Sequence, residues 1–211
     1  MLKNATCFFY AQDDQFVYAI TNWHIVTNRN PNRPRESETG AIPTQLTLKL
    51  HKNVGGGRIH LKHKSDLTLT LNDECGDSPI WFEHRDQGYA VDVVAIPIPR
   101  DQLDPDQYTF HLLQDHKGFQ TDYPGFVTDD VFIVGYPWSL DGGDGVLPIY
   151  KRGSIASEPG INQADLPRFL IDSRTAPGSS GSPVICSHSG IWMPMGQLGD
   201  DTITGTVTNF V

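Results

Sequence analysis

The chain has 211 residues, with 38% hydrophobic and 10% aromatic content, 20 glycines and 15 prolines. Gly and Pro both destabilise helix interiors, so this density excludes a helical bundle or coiled coil, while the apolar share excludes a disordered tail. Lys and Arg number 16 against 25 Asp and Glu, and a net charge of −9 excludes a surface built to neutralise nucleic-acid phosphates.

The apolar runs are short and separated by turn residues, the pattern of an all-β chain. Ala5–Ala11 and Gln15–Ile20 predict two strands joined by a tight turn at Asp13-Asp14-Gln15. Asn28–Gly40 is polar, Pro-rich and aperiodic, and reads as an exposed loop, with Arg29, Arg33 and Arg35 solvated on it. Leu46, Leu48 and Leu50 alternate with Thr47 and Lys49, the period of a half-buried strand. Gly55-Gly56-Gly57 breaks the pattern before Ile59 and Leu61, and then Leu67, Leu69 and Leu71, alternate again. Val91–Pro97 is an almost continuous apolar strand interrupted by Asp92. Arg100 to Gly125 is polar and irregular and reads as a connection. Asp130–Tyr136, Ile149–Ser157, Arg168–Ser173, Ser182–Ser187 and Ile203–Val211 complete the strand candidates. About ten short strands with irregular connections predict a sandwich or a pair of barrels.

Cys7, Cys75 and Cys186 are an odd count without CxxC spacing, so free buried thiols are expected, with one Cys7–Cys186 or similar bridge as the alternative, rather than a disulfide framework or a zinc site. Met1-Leu2-Lys3-Asn4 leads directly into a strand, without the basic and apolar regions of a signal peptide, and no run has the length of a membrane span. The expectation is a cytoplasmic chain that takes neither nucleic acid nor a membrane as partner.

The sharpest local feature is Pro177-Gly178-Ser179-Ser180-Gly181-Ser182-Pro183. A serine nucleophile needs an exposed hydroxyl on a tight turn and backbone N–H groups aimed at a developing oxyanion. Gly178 and Gly181 flank Ser180 and permit such a turn. His24 closes the strand Gln15–Ile20 through Thr21-Asn22-Trp23. Asp92 is a carboxylate inside an apolar run, costly to bury without a partner, and a histidine N–H would supply one; the alternative is a strand residue that faces solvent by alternation.

These three pieces, in the order His24, Asp92, Ser180, resemble the trypsin-like (chymotrypsin-fold) serine peptidases. Thr21-Asn22-Trp23-His24-Ile25-Val26 resembles the family's histidine motif and Val91-Asp92-Val93-Val94-Ala95 its aspartate motif. Gly178-Ser179-Ser180-Gly181-Ser182-Pro183 resembles its serine motif, with Ser182 in place of a second Gly. Asp172, Pro177 and the strand Ile133-Val134-Gly135-Tyr136-Pro137 look closest to the bacterial, HtrA-like subgroup.

The resemblance implies one domain over residues 1–211, made of two packed antiparallel six-stranded β-barrels. The first would span about residues 1–100, the connection 101–129 and the second barrel 130–211. It implies a serine endopeptidase acting on a protein or peptide substrate, with His24, Asp92 and Ser180 catalytic, Gly178 and Ser180 forming the oxyanion hole, and no cofactor. Arg174, Thr175 and Ala176 would line the primary pocket, where an arginine would favour an acidic side chain; the alternative is an outward Arg174 or one paired with Asp172. Only 31 residues follow Ser180, which leaves the second barrel short of strands. A truncated chain, a partner chain that completes the barrel, or a degenerate enzyme would each account for this. The competing function is a protease-fold binding or scaffold module of weak or no activity.

Other candidates read more simply. His51, His60 and His63 suggest a metal by count, but His60 and His63 face opposite sides of a strand, so no metal is expected. Asp141-Gly142-Gly143-Asp144-Gly145 lacks the spacing of a calcium loop and reads as a turn. Trp81, Phe82 and Trp192 read as core or cleft-wall aromatics.

Overall fold

A computed structural model describes residues 4–37, 39–55, 58–115, 125–137, 147–174, 176–192 and 203–210. The candidate calcium loop, Thr175 and the side chains of His63 and Trp192 lie outside the described parts. The described residues within Met1–Gln114, Gly135–Ile149 and Ala176–Ser182 form one compact unit, and those within Asp115–Val134, Tyr150–Thr175 and Pro183–Val211 a second.

The first unit grows from the alternation in its central strands. In β2 (Phe16–Thr21), Val17, Ala19 and Thr21 are buried and Phe16, Tyr18 and Ile20 take the opposite face. β2 pairs antiparallel with β1 (Phe8–Tyr10) and with β8 (Val94–Pro99). Val94, Ile96 and Ile98 of β8 are buried on the same side as Val17 and Ala19. Pro97 and Pro99 cannot donate to a ladder, and they lie beyond the end of the short β7 (Phe82–Glu83), which pairs only with Val94 and Ala95. The result is a four-stranded sheet in the order β1-β2-β8-β7.

A second sheet is built on β5 (Gln45–Asn53), which pairs with β6 (Ile59–Thr70) and with the two-residue β9 (Tyr108–Thr109). The two alternating stretches Ile59/Leu61 and Leu67/Leu69 form one continuous strand, and a bulge at His51/Lys52 absorbs the change of register. Leu48, Leu50 and Leu69 share one core with Val17, Ala19, Val94, Ile96 and Ile98. Each fully buried aliphatic side chain there contributes about 1.5–3 kcal/mol. The connection after Arg100 adds Leu103 and Tyr108 to this core. The Asn28–Gly40 stretch is more ordered than its composition suggests: β3 (Arg29–Asn30) and β4 (Arg33–Ser37) form a small hairpin there.

The second unit is built on a five-stranded sheet. Its strands are β10 (Asp130–Gly135), β11 (Ile149–Ile155), β12 (Ile171–Asp172), β13 (Val184–Trp192) and β14 (Ile203–Phe210), in the order β12-β11-β10-β13-β14. Val131, Ile155 and Cys186 are its buried centre, with Phe169, Ile171 and Val184 against them.

The chain is all-β, as its composition predicts, but the two closed barrels are corrected to open sheets. Among the described residues no sheet closes on itself. The reason lies in strand length: β7, β9 and β12 have two residues each, too few to carry hydrogen bonding from one sheet edge to the next. In the first unit the core is instead shared by two open sheets. Trp81 packs against the core, whereas Phe82 is 59% exposed and lies outside it, beside Tyr18 on the wall of an open surface cavity. No described helix is long and apolar enough to cross a membrane.

All three cysteines are free, but Cys75 is exposed, which corrects the expectation that all three are buried; burial pushes the Cys7 thiol up to about 12. Cys186 is likewise pushed up to about 12, by burial first and then by the neighbouring Asp129 carboxylate. Both thiols are held neutral, so they add stability that is complete below the ordinary value of 9.0 and is lost as pH rises toward 12. At pH 8 the thiolate is the reactive form. Titration of the native protein with an aromatic disulfide reagent should therefore give one fast equivalent, from Cys75, and three equivalents in denaturant. Two or more fast equivalents from native protein would contradict this burial.

Candidate active site

His24 enters the site on a short helix, α1 (Trp23–Thr27), immediately after β2. Trp23, Val26 and Thr27 are its buried residues. Trp23 anchors the turn by donating from Nε1 to Glu83 Oε1 at 2.9 Å. Asn28 ends the helix in the left-handed region (φ 55°), and its N–H donates to the His24 carbonyl at 3.0 Å. Asn tolerates that conformation better than most residues. The sequence places His24 where the chain turns after a strand, and the structure adds the helix that orients it.

Asp92 is not a strand residue. It ends a single 3-10 turn, Tyr89–Val91, in the left-handed region (φ 59°), and β8 begins two residues later. Four hydrogen bonds fix it to the start of α1. Its carbonyl accepts from Asn22 Nδ2 at 2.7 Å and from the Trp23 N–H at 3.2 Å. Its carboxylate accepts from the His24 N–H through Oδ1 at 2.9 Å and meets His24 Nδ1 through Oδ2 at 2.8 Å.

Ser180 sits in a turn between Gly178 (φ 89°) and Gly181 (φ 79°), conformations that favour glycine. Its Oγ lies 3.1 Å from His24 Nε2. The Asp92 carboxylate accepts only, so Nδ1 carries the imidazole proton and Nε2 turns its lone pair toward the Ser180 hydroxyl. All three residues belong to the first unit. The side chains of His24 and Asp92 are 24% and 25% exposed, open enough for a substrate atom to approach.

The turn fixes its own peptide planes. The Ser179 N–H donates to the Ala176 carbonyl at 3.1 Å, and the Ser182 N–H donates to the Ser179 carbonyl at 3.0 Å. The second bond orients the Ser179–Ser180 peptide so that the Ser180 N–H points the other way. Among the described residues neither the Gly178 N–H nor the Ser180 N–H donates to a protein acceptor. A hydroxyl within reach of a base, a base held by a carboxylate, and two unclaimed donors on the same turn can together support attack on a carbonyl.

Of the predicted pocket residues, Ala176 belongs to this turn, Arg174 is exposed, and Thr175 is outside the described residues. Ser182, which replaces the family's second glycine, has a buried Oγ with no hydrogen-bond partner among the described residues. Gly135 makes room for it, since a Cβ at Gly135 would collide with Ser182 Oγ. The residues that sequence reasoning did not single out are Thr6, Thr21 and Asn22. Asn22 carried a weak signal as part of the histidine motif, and Thr6 only that of a polar residue heading an apolar strand.

Residues 5–191 match the trypsin-like peptidase domain family, and the chain belongs to that family. The match includes all three motifs and ends before the last strand, without separating the bacterial subgroup from the rest. No curated protein matches the chain.

Proposed function

We propose that the chain is a serine endopeptidase in which Ser180 is the nucleophile, His24 the general base and acid, and Asp92 the group that holds the imidazole. The observation that carries this reading is His24 itself, with Nδ1 2.8 Å from Asp92 Oδ2 and Nε2 3.1 Å from Ser180 Oγ. Family membership over residues 5–191 supports it independently.

In this mechanism Ser180 Oγ attacks the scissile carbonyl carbon while its proton passes to His24 Nε2. The carbonyl oxygen becomes an oxyanion and accepts from the Gly178 and Ser180 N–H groups, donors typically worth about 3 kcal/mol each in such sites. The tetrahedral intermediate collapses, the C–N bond breaks, and the imidazolium returns the proton to the leaving amine. Water then attacks the acyl-enzyme with His24 again as base, releasing the acid and restoring Ser180. Asp92 stays ionised throughout and stabilises the imidazolium.

Turnover of a quenched-fluorescent peptide library tests the reading. The wild-type protein should cleave it, and Ser180→Ala should lower kcat by about 10⁵–10⁶-fold. A folded wild-type protein without turnover would favour the binding-module reading, and equal turnover by Ser180→Ala would remove Ser180 from the mechanism.

A further inference from the structure

We infer that Thr6 is the positioning residue of the oxyanion hole, a role that rests on the serine endopeptidase reading. Thr6 is 4% exposed, stands just before β1 and uses every polar atom it has. Its Oγ1 donates to the Gly178 carbonyl at 2.9 Å and accepts from the Tyr136 N–H at 3.1 Å. Its N–H donates to the Ser180 carbonyl at 2.8 Å. Its carbonyl accepts from Thr21 Oγ1 at 2.9 Å.

The pattern of these bonds is informative. Three successive peptide groups leave Gly178, Ser179 and Ser180. The first has its carbonyl held by Thr6 Oγ1 and its N–H by Ala176. The second has its carbonyl held by the Ser182 N–H. The third has its carbonyl held by the Thr6 N–H. Two of the three carbonyls therefore depend on one residue. The Ser180 N–H belongs to the second of these peptides, between the two that Thr6 holds, and the Gly178 N–H to the Pro177–Gly178 peptide that precedes the first. Thr6 thus anchors the peptide planes that adjoin both donors, so the backbone that carries them is set before a substrate arrives. Preorganisation of this kind is what makes such donors effective, because nothing has to reorient during the reaction.

Thr6 also couples two segments of the site. Thr21, 3% exposed, lies three residues before His24 and binds the Thr6 carbonyl. The turn that carries Ser180 and the strand end that leads into His24 thus meet on one buried threonine. A Cβ on Gly181 would collide with the Thr6 carbonyl and Thr21 Oγ1, so the contact is as close as the backbone allows.

The test compares Thr6→Val and Thr6→Ser in the full chain. Valine keeps the shape and the backbone bonds but removes the hydroxyl, and serine restores the hydroxyl alone. A donor displaced by a fraction of an ångström loses rate rather than affinity. Thr6→Val should lower kcat by about 10–100-fold with KM within about threefold, and Thr6→Ser should recover kcat to within about threefold of wild type. In a stable acyl-enzyme, the ester carbonyl stretch of Thr6→Val should move to higher frequency, as fewer or weaker hydrogen bonds reach that oxygen. A kcat for Thr6→Val within about threefold of wild type, or a change confined to KM, would overturn the role while leaving the peptidase reading intact. A wild-type protein with neither turnover nor fluorophosphonate labelling would overturn both. If Thr6→Val does not fold, Thr21→Val carries the test: it loosens the Thr6 carbonyl and should lower kcat by about 3–10-fold at constant KM, and an unchanged kcat there would overturn the role.

Discussion

Asp92→Asn is expected to lower kcat by about 10⁴-fold while leaving the chain folded. The carboxylate performs two tasks at once. Oδ1 accepts from the His24 N–H, and Oδ2 faces His24 Nδ1 at 2.8 Å. An Asn side chain has one acceptor and one donor, so it can serve only one of these contacts. If its oxygen stays on the His24 N–H, its NH₂ faces Nδ1 and drives the imidazole to the tautomer with the proton on Nε2. That proton then points at Ser180 Oγ, and the base function is lost. The carbonyl of residue 92 still accepts from Asn22 Nδ2 and the Trp23 N–H, so the turn that places it should survive. Steady-state kinetics with a circular dichroism control check this, and a kcat within tenfold of wild type would mean that Asp92 does not set the imidazole tautomer.

Gly181→Ala is expected to cost about 2–5 kcal/mol of stability, the sum of a left-handed backbone penalty of about 1–2 kcal/mol and an overpacking penalty of about 1–3 kcal/mol. Gly181 has φ 79°, and an added Cβ would meet the Thr6 carbonyl and Thr21 Oγ1. Neither obstacle is the far end of a flexible side chain, so the turn itself must move. Gly76 provides the control, since its φ of 77° is nearly the same and nothing lies within 4 Å of its added Cβ. Gly76→Ala should show the backbone penalty alone. Thermal unfolding should place Gly181→Ala about 5–15 °C below wild type, with Gly76→Ala well above it. Equal midpoints for the two variants would contradict the close packing behind Ser180.

The legible parts of this chain were those where one residue type has few physical alternatives. The apolar run Gln15–Ile20 and the alternation in Leu46–Leu50 marked strands because each has a face in the core. His24, Asp92 and Ser180 stood out because each is a polar residue at a turn or inside an apolar run, and their order along the chain narrowed the class. Asp92 was visible as chemistry but not as structure. An acid in Val91–Pro97 reads as a strand position, yet the 3-10 turn before it leaves it in a left-handed conformation that periodicity does not encode. The β3–β4 hairpin escaped notice because a surface hairpin needs no apolar alternation. Open sheets in place of barrels were not legible, since closure depends on the length of edge strands such as β7 and β9. Thr6 was the least legible of all, because its role arises from contacts with residues 172 and 130 positions away.

Covalent labelling with a fluorophosphonate, followed by peptide mapping, tests the central claim most directly. The account predicts one adduct per wild-type chain, on Ser180 and not on the adjacent Ser179 or on Ser182, with none formed by His24→Ala over the same period. A folded wild-type protein that forms no adduct, or an adduct that persists in Ser180→Ala, would contradict it.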